Sequence, residues 1–195
     1  MAIEYNATQL DALRELANIG AGQAATALSQ MLAQEVTLSV PRAQPLPLDE
    51  AIASAGPADQ EIAGVAIPLE GDLDATVLLL IPTDSAQTLC GLLGVDAGTD
   101  VGDSALSEIG NILSASIMNG LAAITGLELL LCPPQLRTDK LESIVASVVS
   151  EAADETDSAL VLDTSLDLAA QPCPVSFLLI PTGGSVSPLL AALGL

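Results

Sequence analysis

Glu15 and Asn18 stand three residues apart, with Asp11 four residues before the first and Pro41 twenty-three after the second. Ser104, Glu108, Asn111 and Pro134 repeat the arrangement 93 residues later. A carboxylate beside a carboxamide holds no strong nucleophile and no full metal-ligand set. It can orient a water, because an amide both donates and accepts, and it can anchor a cationic group by a charge-assisted bond. Those abilities suit hydrolysis of a phosphoryl group brought by a partner. That transition state is loose, so catalysis is mostly positioning and electrostatics.

Other chemistries fall away on composition. The chain has no histidine, which removes Ser-His-Asp and Cys-His triads, phosphohistidine chemistry and most zinc sites. Gly20 and Gly22 sit inside a helical pattern with no GK[ST] after them, so a nucleotide loop is excluded. Cys132 and Arg137 superficially resemble a phosphate-loop nucleophile and its arginine, but two prolines follow the cysteine where a glycine-rich cradle is needed. The pairs Asp72/Asp74 and Asp100/Asp103 lack full calcium-loop spacing. We therefore expect no metal and no cofactor of the chain's own.

A helix is the element that would hold each pair. At about 100° per residue, Asp11, Glu15 and Asn18 fall at roughly 0°, 40° and −20°, one narrow stripe. Leu13, Leu16, Ala17, Ala24 and Met31 fall opposite, as do Leu106, Ile109, Leu113, Ile117 and Ile124 in the second copy. One polar stripe is most often only a solvated face. Keeping Asn, a weak helix former, at the same interior position twice is harder to explain that way. Asp11 and Ser104 read as first-turn or capping residues, and Pro41 and Pro134 as residues that end strands.

The chain has 195 residues, half of them apolar, with Tyr5 and Phe177 as the only aromatics. It can bury a core of Ala, Val, Leu and Ile. Against 25 acidic residues stand Arg14, Arg42, Arg137 and Lys140, a formal charge of −21. Four cations cannot neutralise a phosphate track, so nucleic acid is excluded as a partner, and an anionic membrane is disfavoured. The acidity reads either as an acidic face for a basic partner or as adaptation to molar salt, where electrostatic reach shrinks to about 3 Å; carboxylates spread along the whole chain favour the second. No apolar run is long enough to span a bilayer and no secretory signal is evident. Three widely spaced cysteines fit reduced thiols in a cytoplasmic protein.

In order, the pattern predicts a helix from about Thr8 to Ala33, slim at Gly20, Ala21, Gly22, Ala24 and Ala25 for close packing on its sister. A strand follows over Gln34–Val40, then a Pro- and Ala-rich connection over Ala43–Asp59. Strands over Glu61–Pro68 and Ala75–Ile81 form a hairpin, and a short helix covers Ala86–Leu93. After a Gly/Asp linker over Asp96–Gly102, the second half has a helix over Ser104–Thr125. Strands follow over Leu127–Cys132, Leu141–Val149, Ala159–Leu166 and Val175–Ile180, with a closing helix over Val186–Leu193. The fold class is α+β: a pseudo-twofold duplicated unit of helix, three strands and short helix. It forms one continuous antiparallel sheet with both long helices packed on a face. One domain, 1–195, would consist of two repeats, about 7–94 and 103–194.

The twice-present pattern [Asp/Ser]-x3-Glu-x2-Asn-x22-Pro resembles that of the CheC/CheX/FliY family of chemotaxis phosphatases, and the resemblance covers nearly the whole chain. It implies dephosphorylation of phosphorylated CheY, the response regulator that reports to the motility motor. In that scheme Asn18 and Asn111 orient the attacking water and Glu15 and Glu108 pair with the regulator's active-site lysine. The resemblance also implies that Mg²⁺ belongs to CheY and that the receptor deamidase CheD is a second partner. Together with the acidity, it suggests a halophilic archaeal source. The alternative is a non-catalytic binding module that sequesters CheY or regulates CheD.

Overall fold

The computed structural model describes residues 6–151, 158–181 and 191–192. Two 26-residue helices dominate it, α1 (Ala7–Leu32) and, in the second half, Asp100–Thr125. α1 begins earlier than its polar pattern suggests because Asn6 and Gln9 form a capping box: the Asn6 side chain accepts from the Gln9 N–H at 3.0 Å and the Gln9 side chain accepts from the Asn6 N–H at 2.8 Å. Asp11 thus lies beyond the first turn. The second long helix is capped by Thr99, whose hydroxyl accepts from the Gly102 N–H at 3.1 Å. The last three residues of the expected linker are therefore helix, and Ser104 is past the cap.

Between the long helices run β1 (Val36–Pro47), α2 (Leu48–Ala55), β2 (Glu61–Gly71), β3 (Ala75–Pro82) and α3 (Thr83–Leu92). The second half continues, after its long helix α4, with β4 (Leu129–Leu131), β5 (Gln135–Lys140), α5 (Leu141–Glu151), β6 (Ser158–Leu168), β7 (Gln171–Pro172) and β8 (Ser176–Pro181). The strands make one antiparallel sheet in the order β1-β6-β8-β3-β2-β4, with β5 also on β2 and β7 on β6. β3 and β8 pair at its centre, Leu78 opposite Leu178 and Leu79 opposite Phe177. Exchanging the two halves reverses the order and leaves it unchanged, which is the pseudo-twofold.

Both faces of the sheet are covered. α1, α3 and α4 bury one face over Val77, Leu79, Ile81, Phe177 and Leu179; α2 and α5 bury the other over Leu78, Leu80, Leu178 and Ile180. The central strands therefore read as unbroken apolar runs. α2 and α5 correct two expectations. The supposed strand over Leu141–Val149 is α5: Leu141, Ile144, Val145 and Val148 are its buried residues, at helical spacing. Its Val and Ile content mimics a strand, but the period decides. The connection over Ala43–Asp59 holds the end of β1 and α2, the counterpart of α5 at the same 93-residue offset of first residues.

α1 and α4 touch through backbone. A Cβ on Gly20 would stand 2.5 Å from both the Ile117 Cα and the Ser116 carbonyl oxygen, and one on Gly120 3.1 Å from the Gly20 nitrogen. The slim middle of α1 has the expected cause. Ile124 corrects the expected buried face: in the last turn of α4 it is 51% exposed and joins neither core. The closing helix expected over Val186–Leu193 lies almost entirely outside the described residues.

Candidate functional site

On α1 the stripe faces outward. Glu15 is exposed and, among the described residues, has no ion pair or hydrogen bond. Asp11, also exposed, is paired with Arg14 at 2.7 Å. Asn18 is half-buried and fully engaged as a donor. Its Nδ2 donates to the Arg14 carbonyl at 3.0 Å and the Val40 carbonyl at 2.7 Å, while its Oδ1 accepts from the Val40 N–H at 2.8 Å.

The reason lies in β1. Pairing with β6 runs Ser39 to Ser165, then resumes at Arg42 to Asp163, so Val40 and Pro41 together face Thr164. This is a bulge, which takes one residue's peptide groups out of the ladder. Val40 is completely buried, so water cannot replace those bonds. The Asn18 carboxamide does so, presenting a donor and an acceptor as a neighbouring strand would. Pro41 follows with no N–H to satisfy. It lies inside β1 rather than at its end: the expected strand end is a bulge, because the clamp lets the strand continue to Pro47.

On α4 the same stripe looks different. Glu108 is exposed and Asn111 half-buried, and among the described residues neither side chain has a hydrogen bond or ion pair. Ser104 donates its hydroxyl to the Asp100 carbonyl at 2.8 Å, a bond within the helix. The position matching Val40 is Pro133, which has no N–H to offer. Here the strand breaks between Leu131 and Gln135, around Pro133 and Pro134. The preceding Cys132 N–H is already held by the Pro68 carbonyl at 2.8 Å. The Asn111 carboxamide therefore keeps both hydrogens and both lone pairs available.

Charge differs too. Beside the α1 stripe is an open groove of about 320 Å³ lined by Leu10, Asp11, Arg14, Pro41, Arg42 and Gln44. It gathers two of the chain's four basic residues. The matching positions on the α4 side, Ser107 for Arg14 and Gln135 for Arg42, are neutral. Desolvation and the neighbouring Glu70 carboxylate push the Cys132 thiol pKa above its usual value, which lowers its thiolate fraction. Among the described residues, no group of three or more His, Cys, Asp or Glu could hold a metal ion, and no helix is long and apolar enough to cross a membrane.

The structure thus brings each Glu–Asn pair to one outward stripe and puts Pro41 beside α1 through β1, whereas Pro134 lies in the break between β4 and β5. Sequence reasoning missed the clamp. Its signal was present: an invariant distance from Asn to Pro is what a helix-to-strand contact requires, and the residue before the proline is Val in one copy and Pro in the other.

The comparisons with known proteins agree on a family. A model described as the CheC-like family matches residues 9–43 and 101–136, the two stretches that carry the stripes and their prolines. The CheY-P phosphatase CheC of Bacillus subtilis is 33% identical over 196 residues, covering 95% of this chain and 94% of the relative. The chain belongs to the CheC-like family. A second relative in this family, CheC1 of Halobacterium salinarum, is 27% identical over 172 residues, 85% of this chain and 86% of its own length. Among solved structures, Thermotoga maritima FliY superposes with a TM-score of 0.78 at 16% identity, covering 98% of both chains. That likeness shows that the two chains share a fold.

Proposed function

We propose that the chain is a phosphatase of the chemotaxis signalling system that hydrolyses the aspartyl phosphate of the response regulator CheY. Asn111 orients the attacking water and Glu108 pairs with a lysine of the regulator. Glu15 and Asn18 occupy the corresponding place on α1. The water oxygen bonds to phosphorus as the acyl P–O bond breaks. The electron pair of that bond goes to the aspartate carboxylate, and the protons of the water leave with orthophosphate. Mg²⁺ belongs to CheY in this reading and neutralises the phosphoryl charge there. CheD is a second partner, and the setting is the cytoplasm.

The observation that carries the reading is the Asn111 carboxamide, three residues from Glu108 on one stripe of α4, with neither side chain bonded among the described residues. A relative named CheY-P phosphatase that matches nearly the whole chain supports it. One observation favours a second reading. The donor-saturated amide of Asn18 suits a stripe that binds without hydrolysing, as a module that sequesters CheY or regulates CheD would. Phosphate release from phosphorylated CheY by substoichiometric protein separates the two. Many turnovers per molecule are expected; an effect only at equimolar protein defeats the enzyme.

A further inference from the structure

We infer that the two motif copies have divided the work: the Glu108–Asn111 pair performs hydrolysis, and Asn18 serves as a clamp that holds the β1 bulge. Pro133 is the residue that makes the difference. The inference rests on the phosphatase reading and sharpens it.

The argument is one of hydrogen-bond capacity. A carboxamide has two donors and two acceptor lone pairs. Asn18 commits both donors and one lone pair to Arg14 and Val40 at 2.7–3.0 Å. Turning it toward a water would leave the N–H and C=O of a fully buried residue unpaired, a heavy penalty. What remains is one lone pair, able to accept from a water but not to donate to it. Asn111 has no such commitment among the described residues. A proline at 133 cannot supply the N–H that would tie up its oxygen, and residues 132–134 belong to no strand. The same amide is thus structural where the residue before the motif proline is Val, and available where it is Pro.

Pro133 acts through Asn111 and is a positioning residue. Replacing it by a residue with an N–H offers Asn111 the bond that Val40 gives Asn18. That change should slow the chemical step without weakening either regulator binding or the fold.

The test is phosphate release from CheY phosphorylated by a small acyl phosphate, per folded molecule, with kcat and KM resolved and thermal unfolding recorded. Asn111→Ala should lose about a hundredfold in kcat, the scale of removing one positioned polar group, with an unchanged unfolding temperature. Asn18→Ala should lose less than threefold per folded molecule while unfolding at a lower temperature. Pro133→Val should lower kcat several-fold with KM and unfolding temperature unmoved. If Asn18→Ala proves too unstable to assay, slow amide hydrogen exchange at Val40 in the unaltered protein stands in for it. Fast exchange there overturns the clamp. Equal kcat losses at Asn18 and Asn111, with stability intact, overturn the division of work while leaving the phosphatase reading standing. Absence of turnover by the unaltered protein overturns that reading itself.

Discussion

The seam between α1 and β1 and the seam between α4 and β4/β5 descend from one pattern, yet they solve different problems. In the first, a bulged edge strand runs unbroken from Val36 to Pro47 because a helix side chain pairs with it. In the second, two prolines in a row break the strand and the helix side chain is released. The lesson is that a motif residue's role is set by what its neighbour can offer. One backbone N–H, present at Val40 and absent at Pro133, separates a structural amide from an available one.

Three experiments would break or sharpen that contrast. The largest effect is expected in stability. Asn18→Ala leaves a buried N–H and C=O without partners, each costing on the order of 1–3 kcal/mol, so a loss of about 3 kcal/mol should appear in urea unfolding. Asn111→Ala, which breaks no bond among the described residues, should stay within about 0.5 kcal/mol. Equal losses would mean the two seams are alike after all.

Next comes the contact both halves share. Gly20→Ala places a methyl group 2.5 Å from the backbone of Ile117, where backbone cannot yield cheaply. Overpacking of this kind costs about 2 kcal/mol. Gly22→Ala, with nothing within 4 Å of the added methyl, should instead be neutral or slightly stabilising through helix propensity. Thermal unfolding of the two variants measures the difference.

The smallest effect concerns the partner. Glu108→Gln removes the charge that would meet the regulator's lysine and should raise KM about tenfold, or about 1.4 kcal/mol, with less change in kcat. Glu15→Gln should raise it less, since the reaction is assigned to the α4 pair and the Asn18 beside Glu15 is held by Val40. Titration of phosphate release against CheY concentration decides it.

Much of this was legible in order along the chain. The stripes, the duplication, the hairpin of β2 and β3 and the close approach at Gly20 follow from angle, spacing and residue size. α5 was misread: Leu141, Ile144, Val145 and Val148 stand at helical spacing, but Val145, Val148 and Val149 favour strands by type, and their burial shows which signal governs. α2 was hidden because Pro45 and Pro47 punctuate the stretch before it, although Pro47 stands at its N-cap, where proline is well tolerated. The Asn6 cap was passed over because Thr8 and Asp11 offered a rival start, although Asn6 and Gln9 already had the spacing of a capping box.

The sequence by itself determined which side chains share an outward stripe, because helical geometry is local and repeats every 3.6 residues. It also determined that the arrangement occurs twice and that there is no histidine to do chemistry. Only the tertiary structure decided what each amide does. Asn18 and Val40 are twenty-two residues apart in the chain, and their bond exists because packing brings a helix face against a bulged strand edge. No local rule foresees that meeting; it depends on where the whole sheet puts β1.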